Sequence, residues 1–275
     1  MARSDAGGCA GLRAWAGIGL ACAAGCTELA PGSDTLPQEP AALEAASAAP
    51  PAPDPKWGCL GKTTPARAVA LRPSIALSLN ITDTTSQKVP AELSVRACNR
   101  LDVGCATPAQ APVGVAEDGQ IHLSLDQGFN GFLEVTGSGT VPTLFFVSPP
   151  LESERQDAFV VVSSAGLLAL ASAAGLSIDP ERGHLLVRAF DCQGEPSGDV
   201  EFSNDQGGEA FAFIDGLPHK GYEVTTPDGR GGFLNVPTGV VVLQGREVTS
   251  GRVSGTASVS VRKGWFTYGD LAPAP

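Results

Sequence analysis

Seven cysteines, three histidines and a scatter of carboxylates are the residues of this 275-residue chain that could do chemistry. Cys98 and Cys105 would close a short loop off one strand, and in an oxidising compartment that spacing predicts a disulfide. Cys59 and Cys192 then either pair with each other or stay as buried thiols. The chain has no Cys-x-x-Cys, and a zinc site wants four clustered ligands, so no metal is assigned to cysteine or histidine. His122, His184 and His219 are far apart in sequence, and a lone histidine on a strand is more often a satisfied residue than a base. No Gly-x-Ser-x-Gly elbow is present, and Ser138 in Gly137-Ser138-Gly139 reads as flexible loop. No catalytic residue is assigned. Gly61-Lys62-Thr63 has the ending of a phosphate loop, but Lys56 stands where the motif needs its first glycine and Pro65 where a helix should open. Acidic pairs occur at Asp179 and Glu181 and at Asp205 and Glu209. Asp191, Glu195 and Asp199 form the candidate ligand loop, since an oxygen-rich loop suits a hard cation such as calcium. Solvation of acidic loops is the simpler reading, and no cofactor is expected. Trp57, Trp265, Phe266 and Tyr268 could form a sugar platform, although core packing is the commoner fate of such rings.

What could carry this chemistry is bounded by composition. The net charge is −11, which disfavours nucleic acid as a partner. The basic residues before Lys56 are Arg3 and Arg13, and the apolar stretch 14–25 follows them. A positive start and a short apolar run make a secretory signal. The run ends Ala23-Ala24-Gly25-Cys26, which resembles a bacterial lipobox. That resemblance implies cleavage before Cys26, lipidation of its thiol and a membrane partner reached through acyl chains rather than a spanning helix. Cys22 is a competing site with a poorer match. Thr27 after the cysteine implies, by resemblance to Gram-negative sorting, an outer-membrane location, with a secreted or periplasmic protein as the alternative. Residues 26–56 carry seven prolines and no periodic apolar face, the composition of an extended tether.

From Trp57 onward the texture is that of strands. Ile75, Leu77, Leu79 and Ile81 alternate with small or polar residues, as do Leu93, Val95 and Ala97, and Ile121, Leu123 and Leu125. The runs 132–135 and 144–147 complete this set of expected strands. Leu167, Leu170, Ala171 and Ala174 have helical spacing, with Ser163 or Ser164 as cap and Gly175 as stop, which predicts a short helix near 163–175. Strands are expected again at 185–190, 200–203, 210–214, 222–225, 232–236, 240–243 and 257–262. The expected fold is mainly β: two tandem prealbumin-like or immunoglobulin-like sandwiches, over 57–148 and 149–275, the second with the helix.

The two units read as a repeat. Leu93-Ser94-Val95-Arg96-Ala97 matches Leu185-Leu186-Val187-Arg188-Ala189. Asp118-Gly119 before 121–125 matches Asp228-Gly229 before 232–236, and Gly128-Phe129 matches Gly239-Val240. In this order the motifs resemble carboxypeptidase regulatory-like domains, and the texture resembles surface lipoproteins of myxobacteria. That resemblance implies seven-stranded sandwiches without catalytic residues. The expected function is a non-catalytic envelope lipoprotein displaying two structural or binding modules, with an envelope polysaccharide or protein as partner. The alternative is an accessory subunit or degenerate enzyme acting on envelope polysaccharide, for which a carboxylate pair in a concave pocket within 179–209 would speak. Oligomeric state has no signature in the sequence.

Overall fold

Strict alternation means a strand buried on one face, and β1 (Ile75–Asp83) has it: Ile75, Leu77, Leu79, Ile81 and Asp83 point inward. β4 (Gln120–Leu125) repeats the pattern and pairs antiparallel with β1. Strands β2 (Ser94–Asn99), β3 (Gln110–Gly114), β5 (Gly131–Thr136) and β6 (Thr143–Phe146) lie elsewhere, in a second sheet. β5 and β6 are buried on both faces, so their sequences are largely apolar without alternation, the buried charge Glu134 of β5 being ion-paired. The computed structural model describes residues 55–62 and 74–273; the signal segment, Cys26 and most of the tether lie outside them.

The predicted helix forms as α1 (Ser164–Ala173), preceded by β7 (Arg155–Val161). Ser163 Oγ accepts the Gly166 N–H at 3.1 Å. At the other end Leu176 N–H bonds Ala171 C=O, Gly175 N–H bonds Ser172 C=O, and Gly175 takes a left-handed φ of 66°. These paired bonds satisfy carbonyls that an uncapped helix end would leave open. The later strands are β8 (Gly183–Ala189), β9 (Val200–Asn204), β10 (Glu209–Ile214), β11 (Leu217–Lys220), β12 (Arg230–Val236), β13 (Gly239–Glu247), β14 (Val253–Val261) and β15 (Phe266–Leu271). The strand expected at 222–225 is instead a loop with one isolated bridge, Glu201 to Val224, and β11 ends before it.

The expected mainly-β architecture with one helix is present. The expected division after residue 148 is not. The central sheet runs β11-β10-β12-β8-β15-β6-β5-β2-β3, nine strands drawn from both halves of the chain. β15, the last strand, lies parallel to β6 on one side and to β8 on the other. β7, which the boundary at 148/149 assigns to the second unit, pairs parallel with β1 of the first. The described residues, 55–62 and 74–273, therefore form one compact unit. No local pattern announces these pairings, because strand partners distant in sequence leave no periodicity of their own.

Two sandwiches are nonetheless visible, on opposite faces of that sheet. Sheet β4-β1-β7 packs on one face, with Leu77, Leu79, Phe145, Leu133 and Tyr268 in a common core. Helix α1 covers the same face further along, against Phe211, Leu234 and Phe266. Sheet β14-β13-β9 packs on the other face, over Phe132, Leu144, Leu185 and Val187. Glu134 of β5 joins the layers, accepting hydrogen bonds from Arg96 at 2.6 Å and Arg262 at 3.0 Å. The start of the described chain is held by Cys59–Cys192 and by Arg252, which bonds Leu60 C=O. Trp57 and Leu60 thus join the core beneath β13 and β14 rather than that of the first sandwich.

The repeat survives in its turns more than in its strands. Gly119 and Gly229 both take left-handed φ values, 82° and 68°. Asp118 and Asp228 both accept the N–H two residues on, and the two glycine carbonyls accept from Ile81 and Ala189 N–H. Yet the first turn leads into β4 of a covering sheet, whereas the second leads into β12 of the central sheet.

Candidate functional site

β7 is an edge strand: its one paired neighbour is β1. In a parallel ladder, main-chain groups of alternate residues point to opposite sides. Val161 C=O turns toward the β1 side and accepts Thr84 N–H. Val160 C=O turns the other way and accepts the Tyr268 hydroxyl at 2.7 Å. The edge at Ala158 and Val160 consequently opens into a cleft of about 690 Å³. α1 forms the far wall with Gly166, Ala169, Leu170 and Ala173, all but one of them small. Leu186 and Tyr268 form the floor, and Phe213, Leu217 and Pro218 close one end.

Arg188 of β8 and Arg230 of β12 bring charge to this apolar floor, and they are direct partners in the antiparallel register. Arg188 donates through Nε and Nη2 to the two oxygens of Asp270, each at 2.8 Å. Burial opposes the Arg188 charge, and Asp270 outweighs it, so the guanidinium is held above its ordinary value. Arg230 pairs with Asp228 at 2.8 Å and stacks over Phe213 at 5.4 Å. Burial raises the Asp228 pKa, but hydrogen bonds from the Thr226 hydroxyl and from Arg230 hold it below the ordinary carboxylate value. The cleft thus has apolar walls and a floor on which two arginines are each paired with a carboxylate. The sequence reading missed it. The available signal was Arg188 inside the apolar run 185–189.

The residues singled out from sequence fall elsewhere. Cys98 and Cys105 form the expected disulfide, with Cα atoms 5.3 Å apart. Arg262 donates to Val103 C=O in the loop between them, and Asp102 accepts the N–H groups of Ala106 and Thr107. Leu101 projects from that braced loop with 94% of its surface exposed. Cys59 and Cys192 pair with each other, their Cα atoms 5.8 Å apart. Cys26 lies outside the described residues. Asp191 is nearly buried and accepts the N–H groups of Gln193 and Glu195, so it shapes its own turn. Glu195 and Asp199 are exposed, and the three carboxylates do not converge. Among the described residues one group of three potential metal ligands lies together, Cys98, Cys105 and Glu134, and its two sulfurs are bonded to each other. A smaller pocket of about 300 Å³ touches 203–210, but the carboxylate lining it is Glu223 alone. That is not the acidic pair the polysaccharide-enzyme alternative asks for. Trp57 and Phe266 are buried in core clusters and Tyr268 lies beneath the cleft, so these aromatics form no platform.

Of the histidines, His122 accepts or donates through Nδ1 to Ser78 at 2.9 Å, on the exposed face of β1 and β4. A serine–histidine pair becomes a nucleophile only with an orienting third group and an oxyanion hole. No carboxylate is bonded to His122 among the described residues.

No protein-family model matches the chain, and no curated protein does. Solved structures give partial likenesses. The chain is similar to the major pilin subunit of Bacillus cereus at 9% identity, over 73% of this chain and 100% of that one, with a TM-score of 0.26. It is similar to the shaft pilin of Lactobacillus rhamnosus GG at 11% identity, over 74% and 98%, with a TM-score of 0.23. Against the Bacillus anthracis TIE protein the identity is 12% and the TM-score 0.23, and the chain spans about a third of that protein's length, 34%. TM-scores this low do not establish a shared fold.

Proposed function

We propose that this protein is a non-catalytic envelope lipoprotein, exported, anchored through Cys26 and displaying a β-sandwich body for binding or scaffolding beyond a proline-rich tether. The observation that carries this reading is the pair of disulfides, Cys59–Cys192 and Cys98–Cys105. Disulfides form and persist in oxidising compartments outside the cytosol, which agrees with the signal-like segment and lipobox-like cysteine at the N-terminus. Binding rather than catalysis is supported by a cleft with fixed charges but no nucleophile beside a base. The lipid sets location, the tether sets reach, and the folded body offers the surface.

Intact mass of the protein from the membrane fraction tests it, with thiols alkylated before and after reduction. The expected species begins at Cys26, carries added acyl mass, and exposes four further thiols only after reduction. A full-length chain whose thiols all react without reductant overturns the proposal.

A further inference from the structure

We propose that the cleft between β7 and α1 is a strand-addition site, where an extended peptide segment of a partner protein pairs with β7 and sets an acidic side chain against Arg188 and Arg230. This deepens the binding reading above by naming the partner's chemistry, and it does not depend on the anchor.

Three observations converge. First, the cleft is bounded on one side by an unpaired strand edge. Main-chain N–H and C=O groups of such an edge are a template for another strand. Val160 C=O already accepts the Tyr268 hydroxyl, but a purely aliphatic ligand would leave Ala158 N–H, Ala158 C=O and Val160 N–H without partners among the described residues. Second, the opposite wall is Gly166, Ala169 and Ala173, whose short side chains leave the width that an added backbone occupies. Third, the floor places two arginines directly opposite each other. Like charges so placed repel. Each is neutralised from its outer side, Arg188 by Asp270 and Arg230 by Asp228, and Nη1 of each is in no hydrogen bond among the described residues. A carboxylate on the inward face of the added strand would accept from those two Nη1 donors. Charge complementarity thus selects an acidic rather than a basic or neutral segment.

The experiment uses the purified full chain and a capped peptide as long as β7, seven residues, of alternating threonine and valine with glutamate at the central inward position. Amide hydrogen exchange is followed residue by residue. The expected result is slowing of exchange at Ala158 and Val160 by about tenfold or more at saturation, and binding about tenfold weaker when the glutamate is replaced by glutamine, as for loss of one charge-assisted hydrogen bond. Ala169→Trp, at an exposed helix position, fills the cleft and should abolish that slowing without lowering the melting temperature. Arg230→Gln should erase the preference for glutamate while leaving protection of the strand edge. The proposal is overturned if the peptide at millimolar concentration leaves both amides unprotected. It is equally overturned if dodecanoate protects the cleft and the peptide does not, which would make the site one for a fatty acyl chain. Either failure is readable on a chain of any N-terminal processing, so it is separable from failure of the anchored-lipoprotein reading.

Discussion

His184 is the residue whose chemistry the surrounding structure changes most. It is fully buried at the start of β8, packed 5.2 Å from the Phe266 ring. Its Nδ1 accepts Asn235 N–H at 3.3 Å, which places the proton of the neutral ring on Nε2, and Nε2 has no partner among the described residues. Burial lowers its pKa from 6.5 to about 4, with Asp179 opposing weakly. Between those values the unfolded chain binds a proton that the folded chain refuses, so stability rises with pH across the window and is lost on acidification from 6.5 through 4. The whole span is worth about 3 kcal/mol. Urea midpoints at pH 7 and pH 4.5 should differ strongly in the native chain, and His184→Phe should narrow that difference. An unchanged difference would mean that carboxylates such as Asp83 and Glu247, both held low by the main-chain donors that outweigh their burial, carry the acid sensitivity. Sequence shows His184 only as a polar residue beside an apolar run. It lies against Phe266 and beneath Asn235, whose side chain ties down the preceding loop through Ser177 C=O and Asp179 N–H, and both residues are distant in sequence.

Elements were legible where one face meets solvent. β1 and β4 alternate in sequence because they alternate in burial, and α1 could be bounded from Ser163 and Gly175 because capping is local chemistry. Ser163→Ala should cost about 1 kcal/mol, read as a shift in the thermal midpoint. Gly119→Ala and Gly229→Ala should both cost more than that, because the added Cβ would lie 2.7 Å from Ile81 C=O and 2.6 Å from Ala189 C=O at a left-handed φ. The disulfides separate by loop length. Replacing Cys98 and Cys105 by alanine removes a closure over 7 residues, worth about 2–3 kcal/mol in the chain-entropy model, against about 4–5 kcal/mol for the 133-residue closure of Cys59 and Cys192. Denaturant melts of the two double variants should therefore rank in that order. The cleft was not legible because its parts are ordinary when read one at a time. An arginine in a strand, alanines on a helix and an edge strand form a site only when β7 crosses to pair with β1.

At the scale of the molecule, the central sheet decides how much of the chain acts as one body. Because β15 bonds to β6 and β8 at once, calorimetry of the full chain should show a single unfolding transition of the β-sandwich body rather than one for each sandwich. The fragment 57–148, a self-contained domain on the sequence reading, should stay unfolded in isolation, since β1 lacks β7 and β6 lacks β15. Cooperative melting of that fragment would contradict the shared sheet. The position of β15 also has a consequence in time. A chain made from its N-terminus presents residues 266–271 after every other described strand, yet they occupy the middle of the sheet. Until they arrive neither half can close its core, and the polypeptide stays loose enough to be threaded through a translocation channel. Under the exported reading proposed above, folding waits for the far side of the membrane, where cysteine pairing can lock the result, and a ribosomal product cut short by a few strands is left open to proteolysis.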